Sequence, residues 1–113
     1  MHQRAIVLVA LLVCSCAPVR FREVELRAEV TSDLRLVDCD GGAVYQLAMT
    51  SGSASNVLRA RYRAGASSDE AFVVELRGRT EDPPRDDPPG LYVGKVTSAR
   101  RGGCSTLDAA RIP

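Results

Sequence analysis

Histidine is almost missing from this sequence, and tryptophan is missing altogether. The one histidine, His2, falls in an N-terminal stretch read below as removed on export, which leaves a chain with no imidazole. Ser–His and Cys–His nucleophilic arrangements are thereby excluded, as is a histidine general base. Zinc and copper sites draw on histidine and clustered cysteine, and neither is on offer. No glycine loop of the Walker type and no dinucleotide fingerprint occurs, and there are no internal repeats. Lysine is also scarce: of 15 basic residues only Lys95 is one, and the surplus of arginine and alanine reads as compositional bias. Aromatic residues make up 4%, so any core must be built largely from aliphatic side chains. No cofactor is expected.

What is present suffices for one domain. The chain has 113 residues, 45% hydrophobic and 26% charged, enough apolar material to fold but only a small core. Formal net charge is +1, and losing Arg4 with the N-terminal stretch brings it to about zero. That balance supplies no general attraction to nucleic acid or to an acidic membrane surface. No nucleic-acid partner is expected.

The N-terminus has the parts of an export signal. Arg4 precedes an uncharged apolar run, Ala5 to Val13, and small residues follow. Nine residues span roughly 14 Å as a helix, about half a bilayer core, too short for a stable membrane crossing. A buried domain helix would need a polar face, which this run lacks. Val13-Cys14-Ser15-Cys16 resembles the lipobox of bacterial lipoproteins: an aliphatic residue, two small residues, then the cysteine that receives lipid. The resemblance implies cleavage before Cys16, a diacylglycerol on its sulfur and an acyl chain on its new amino group. Two or more chains anchor stably where one does not. Ala17 after the cysteine implies the outer membrane, facing the periplasm, in enteric-type bacteria. An ordinary soluble secretory signal is the alternative. On the lipoprotein reading residues 1–15 are signal, 16–22 a lipidated tether, 23–104 the domain and 105–113 a tail.

Export puts Cys39 and Cys104 in an oxidising compartment, where two remaining cysteines usually pair. The loop they would close has about 65 residues, for which chain entropy gives roughly 4 kcal/mol. A redox-active pair and two free thiols are the alternatives. Redox pairs usually lie close in sequence, and these do not.

From Glu23 to Val30 apolar and charged residues alternate strictly, which predicts a half-buried strand with Val24, Leu26, Ala28 and Val30 on one face. Thr31-Ser32-Asp33 signals a turn, and Leu34–Cys39 a second strand. Asp40-Gly41-Gly42 supplies the positive φ of a tight hairpin into a third strand, Ala43–Met49, with Ala43, Tyr45, Leu47 and Met49 on one face. Ser53 is a candidate cap for a helix to Ala64, stopped by Gly65, with Val57, Leu58 and Tyr62 on one face. Leu58, Ala60, Tyr62 and Ala64 also alternate with arginines, so a strand stays open; alanine and arginine favour the helix. Ala71–Thr80 reads as a fourth strand with Phe72, Val74 and Leu76 inward, and Gly78 marks a bulge or close packing. A loop rich in proline and aspartate covers 81–90, and Leu91–Ala99 is the fifth strand.

Three strands, a helix and two strands is the order of an OB-type barrel. The expected fold is mainly β: a small five-stranded OB-like barrel with one short helix between strands 3 and 4. Leu36-Val37-Asp38-Cys39-Asp40-Gly41-Gly42, Leu58-Arg59-Ala60-Arg61-Tyr62, Val74-Glu75-Leu76-Arg77-Gly78-Arg79 and Leu91-Tyr92-Val93 resemble, in that order, the C-terminal OB-like domain of the NlpE envelope lipoproteins. The resemblance spans roughly residues 24–97. It implies an outer-membrane lipoprotein concerned with envelope stress or surface sensing. The family is also associated with copper, but its Cys-x-x-Cys motif belongs to an N-terminal domain without counterpart in these residues, so the resemblance does not carry a copper role over to them.

Two clusters invite a chemical reading. Asp38 and Asp40 flank Cys39 and could pair for calcium or acid–base work, but Asp and Gly also build turns, and calcium needs more oxygen ligands at regular spacing. Asp82, Asp86 and Asp87, among prolines, read as a solvated loop. Arg59, Arg61 and Arg63, with Arg77 and Arg79, form a candidate ligand-contact patch for an anionic glycan or lipid head group. The plainer reading is a solvated face. The expected function is a non-catalytic, lipid-anchored envelope module for binding or sensing. Its partners are the membrane, through the lipid, and an envelope protein or glycan. A structural envelope lipoprotein and a carboxylate enzyme are the rivals.

Overall fold

A computed structural model of the protein describes residues 20–105. The export signal, Cys14, Cys16 and all but the first residue of the expected tail lie outside the described residues.

The alternation after Arg20 forms a ten-residue strand, β1 (Phe21–Val30). Val24, Ala28 and Val30 are buried and Leu26 is half-buried, the face expected from the period of two. β2 (Arg35–Asp38) and β3 (Val44–Leu47) make the hairpin, each shorter than the apolar pattern suggests. Gly42 turns it at a φ of 74°, its N–H donating to Asp38 O at 2.8 Å. The Asp38 carboxylate accepts the Asp40 N–H at 2.9 Å, closing an Asx turn. Tyr45 and Leu47 point inward as expected. Ala43 and Met49 do not; Met49 lies past the strand's end, where the alternation no longer applies, and is 68% exposed.

The ambiguous arginine segment is the helix α1 (Ser51–Ala64). Its C-terminus is a Schellman motif on Gly65 (φ 70°), with Gly65 N–H donating to Tyr62 O and Ala66 N–H to Arg61 O. Two expectations need correction. Thr50, not Ser53, is the N-cap residue, so Ser53 sits inside the first turn. The buried face is Ser53, Val57 and Ala60, with Ala64 packed beside them, while Leu58 and Tyr62 face away. A helix pressed against a barrel brings small residues closest, and a positional offset of one turns a side chain by about 100°.

β4 (Phe72–Glu81) pairs along its whole length with β1, from Phe21↔Glu81 to Val30↔Phe72. β5 (Gly90–Arg101) pairs antiparallel with β4 and, at its start, parallel with β3. The strands therefore close in the order β1-β2-β3-β5-β4, a five-stranded OB-like barrel with its helix between β3 and β4. Phe72, Leu36, Leu47, Leu91, Val30, Val57 and Val74 are its largest fully buried side chains, and Tyr45 is the other aromatic residue of the core.

β5 is irregular. Its register against β4 slips twice, leaving Thr97 and Gly94 without partners across the ladder. Such extra residues coil a strand more tightly, as closing a small barrel demands. Gly78 on β4 faces the second slip, where an added Cβ would lie 2.3 Å from Tyr92 O. This is the close packing that its place in the strand suggests.

Cys39 and Cys104 form a disulfide with their Cα atoms 5.4 Å apart. It ties the end of β2 to the segment after β5, two strands that flank β3 and share no ladder. Glu29 supports it by accepting the Cys104 N–H at 3.2 Å.

Candidate functional site

Polar side chains join α1 to β5. Ser53, 4% exposed, accepts the N–H of Val93 at 2.9 Å. Asn56, one turn on, donates to Val93 O at 2.9 Å and to Gly94 O at 3.2 Å. These groups lie at the second slip of β5, where the ladder leaves backbone groups needing partners. Sequence reasoning missed Asn56 and misread Ser53. The available signal was two polar residues three apart in a segment whose other inward positions are small and apolar.

With α1 seated this way, a groove lies on either side of Asn56. The first has a volume of about 730 Å³. Thr50, Gly52 and Ser53 line one side; β1, β4 and β5 line the other with Glu23, Glu25, Arg77, Arg79 and Tyr92. The second groove, of about 410 Å³, runs along the outer side of α1 and is lined by Arg59, Tyr62, Arg63, Lys95 and Val96. Asn56, Gly94 and Lys95 border both.

The five arginines of the expected patch do not form one surface. Arg59 and Arg63 share the second groove. Arg61 turns away, half-buried, with its guanidinium 6.0 Å from the centre of the Phe72 ring. Arg77 forms an ion pair with Glu25 across β4 and β1 at 2.6 Å. Arg79 lies over the rings of Phe21 (4.9 Å) and Tyr92 (5.8 Å), which themselves meet edge to face at 5.6 Å. Lys95, which belongs to the cationic group, was passed over because nothing in the sequence places β5 beside α1.

The paired aspartates both have structural partners. Asp38 holds the hairpin turn, and Asp40 forms an ion pair with Arg27 at 3.0 Å. Among the described residues no group of three or more His, Cys, Asp or Glu side chains could hold a metal ion. Nor is any helix among them long and apolar enough to cross a membrane.

One carboxyl departs strongly from its ordinary acidity. Glu70 accepts the Ser67 hydroxyl at 2.8 Å and the Arg101 guanidinium at 2.8 and 3.2 Å. The Ser67 hydroxyl, then Arg101, then the Ser67 N–H pull it from 4.5 down to about 2. Asp33 is lowered too, first by the hydroxyl of Thr31. Both lie in connecting segments, away from the grooves.

Compared with known proteins, the chain matches no family model, no curated protein and no solved structure.

Proposed function

We propose that this chain is a non-catalytic, lipid-anchored binding module of the bacterial envelope. It is held through Cys16 on the periplasmic face of the outer membrane and uses the grooves beside α1 to engage an envelope protein or glycan. The carrying observation is the pair of adjoining grooves, lined by arginine, lysine and tyrosine side chains and by the backbone of an irregular strand. The lipobox-like Val13-Cys14-Ser15-Cys16 and the resemblance to the NlpE envelope lipoproteins support the location.

The anchor also constrains geometry. β1 begins at Phe21, five residues beyond Cys16, and a fully extended tether of that length reaches about 18 Å. The barrel would ride close to the membrane with the Phe21–Glu81 end nearest to it.

Cross-linking in intact cells, followed by mass spectrometry, tests the reading. One dominant envelope protein or glycan is expected, reduced by substitution of Arg59, Arg63 and Lys95. A normal cross-linking pattern in those variants would refute a role for the grooves. A leaky envelope in a deletion strain that cross-links to nothing would favour a structural lipoprotein. Loss of a phenotype on replacing Asp38 and Asp40 in a chain that still folds would favour the enzyme.

A further inference from the structure

We propose that the groove between the outer side of α1 and β5 is a site for a phosphorylated sugar, with Arg59, Arg63 and Lys95 holding the phosphate and Tyr62 the ring. This rests on the reading of the domain as a binding module, and not on the lipid anchor.

The groove is cationic without compensation. Arg59, Arg63 and Lys95 line it, and no carboxylate does. Among the described residues none of the three forms an ion pair, whereas Arg27, Arg35, Arg77 and Arg101 each have a carboxylate partner. The charges are also crowded against one another. Arg59 and Arg63 are one helical turn apart, a spacing at which like charges destabilise a helix. Lys95 adds a third positive charge from β5, on the opposite wall of the same groove. An anion in the groove offsets this repulsion.

The guanidiniums are held in place in advance. Arg59 donates to Asn56 Oδ1 at 2.8 Å and to Ser55 O at 3.4 Å, and Asn56 is fixed to the β5 carbonyls. Arg63 reaches Val96 O at 3.5 Å. Each keeps other N–H groups of its planar fork for phosphate oxygens, the acceptors which that fork suits best.

The neutral part of the ligand follows from the rest of the lining. Tyr62, 87% exposed, presents its ring at the same groove beside Gly94 and Val96. A bare phosphate would leave that ring unused, while a sugar offers it a face of C–H groups and hydroxyls for its O–H. A volume of about 410 Å³ lies toward the small end of the range for small-molecule sites, matching one sugar unit with its phosphate.

The test uses the full chain carrying Cys16→Ser, so that no lipid is attached, titrated at constant ionic strength and followed by amide NMR. Glucose 6-phosphate, inorganic phosphate, glucose and phosphatidylglycerol vesicles are the probes. Glucose 6-phosphate is expected to give saturable shifts at Asn56, Arg59, Lys95 and Val96, and to bind at least fivefold more tightly than inorganic phosphate. Arg59→Gln with Arg63→Gln is expected to weaken it at least tenfold with the fold retained, and Tyr62→Ala to reduce it to the level of inorganic phosphate. The proposal is overturned if glucose 6-phosphate gives no saturable shift, if it binds no better than inorganic phosphate, or if only the vesicles bind. Failure here with the cellular cross-link intact removes this ligand alone; failure of both removes the binding module.

Discussion

Replacing Ser53 by alanine tests how the helix is attached to the barrel. Ser53 is buried inside α1, and its hydroxyl oxygen accepts the N–H of Val93, itself 2% exposed. Removing the oxygen leaves that N–H without this acceptor where water does not readily reach, which costs about 1–3 kcal/mol. Alanine returns about 0.5 kcal/mol through its better helix propensity. The net loss is roughly 0.5–2.5 kcal/mol, or about 2–20 °C in Tm for a domain of this size. Urea unfolding of Ser53→Ala beside Ser55→Ala reads it out. Ser55 is exposed in the same helix and its hydroxyl donates only to Gly52 O, one turn back, so its replacement should be neutral or slightly stabilising. Thr50→Ala should also be mild, because the Thr50 side chain makes no capping hydrogen bond. A Ser53→Ala protein as stable as Ser55→Ala would refute the reasoning.

Three more outcomes follow from the same structure. Gly78→Ala drives a Cβ into Tyr92 O and should cost about 1–3 kcal/mol or more, read by urea unfolding; an unchanged midpoint would show that the β4–β5 slip yields freely. Reducing the Cys39–Cys104 disulfide, or replacing both cysteines by alanine, should cost about 2–5 kcal/mol, with a melting curve taken with and without reductant as the check. Glu70 has its acidity raised in the folded state, so its contribution is present above the unfolded value near 4.5 and is lost as pH falls through about 2. Glu70→Gln should flatten the fall in stability over that window, and an unaltered acid limb would contradict the Ser67–Glu70–Arg101 link.

Much of the barrel could be read from local pattern. The alternation over Glu23–Val30, the Asp40-Gly41-Gly42 turn, the Gly65 stop and the tight place at Gly78 are each encoded within a few residues, and each stands in the structure. The hidden features depend on elements distant in the chain. The role of Ser53 depends on a register slip some 40 residues later, so the only local meaning of a serine at that spot was a cap. The inward face of α1 was misplaced because Leu58 and Tyr62 are the bulkier residues, whereas close approach to β5 selects serine, valine and alanine. The arginines look like one patch along the chain. Strand pairing gives Arg77 to Glu25, stacks Arg79 on two rings and turns Arg61 toward Phe72. Only Arg59 and Arg63 are left together, and the seating of α1 on β5 brings them Lys95.

We propose that this small barrel works while tethered by lipid at an envelope membrane, and the mass of the intact protein recovered from the membrane fraction is the decisive test. A chain beginning at Cys16 and heavier than its residues by a diacylglycerol and an acyl chain is expected, absent from a Cys16→Ala strain. A chain of unmodified mass, either retaining Met1 or cut elsewhere and free in solution, would contradict it.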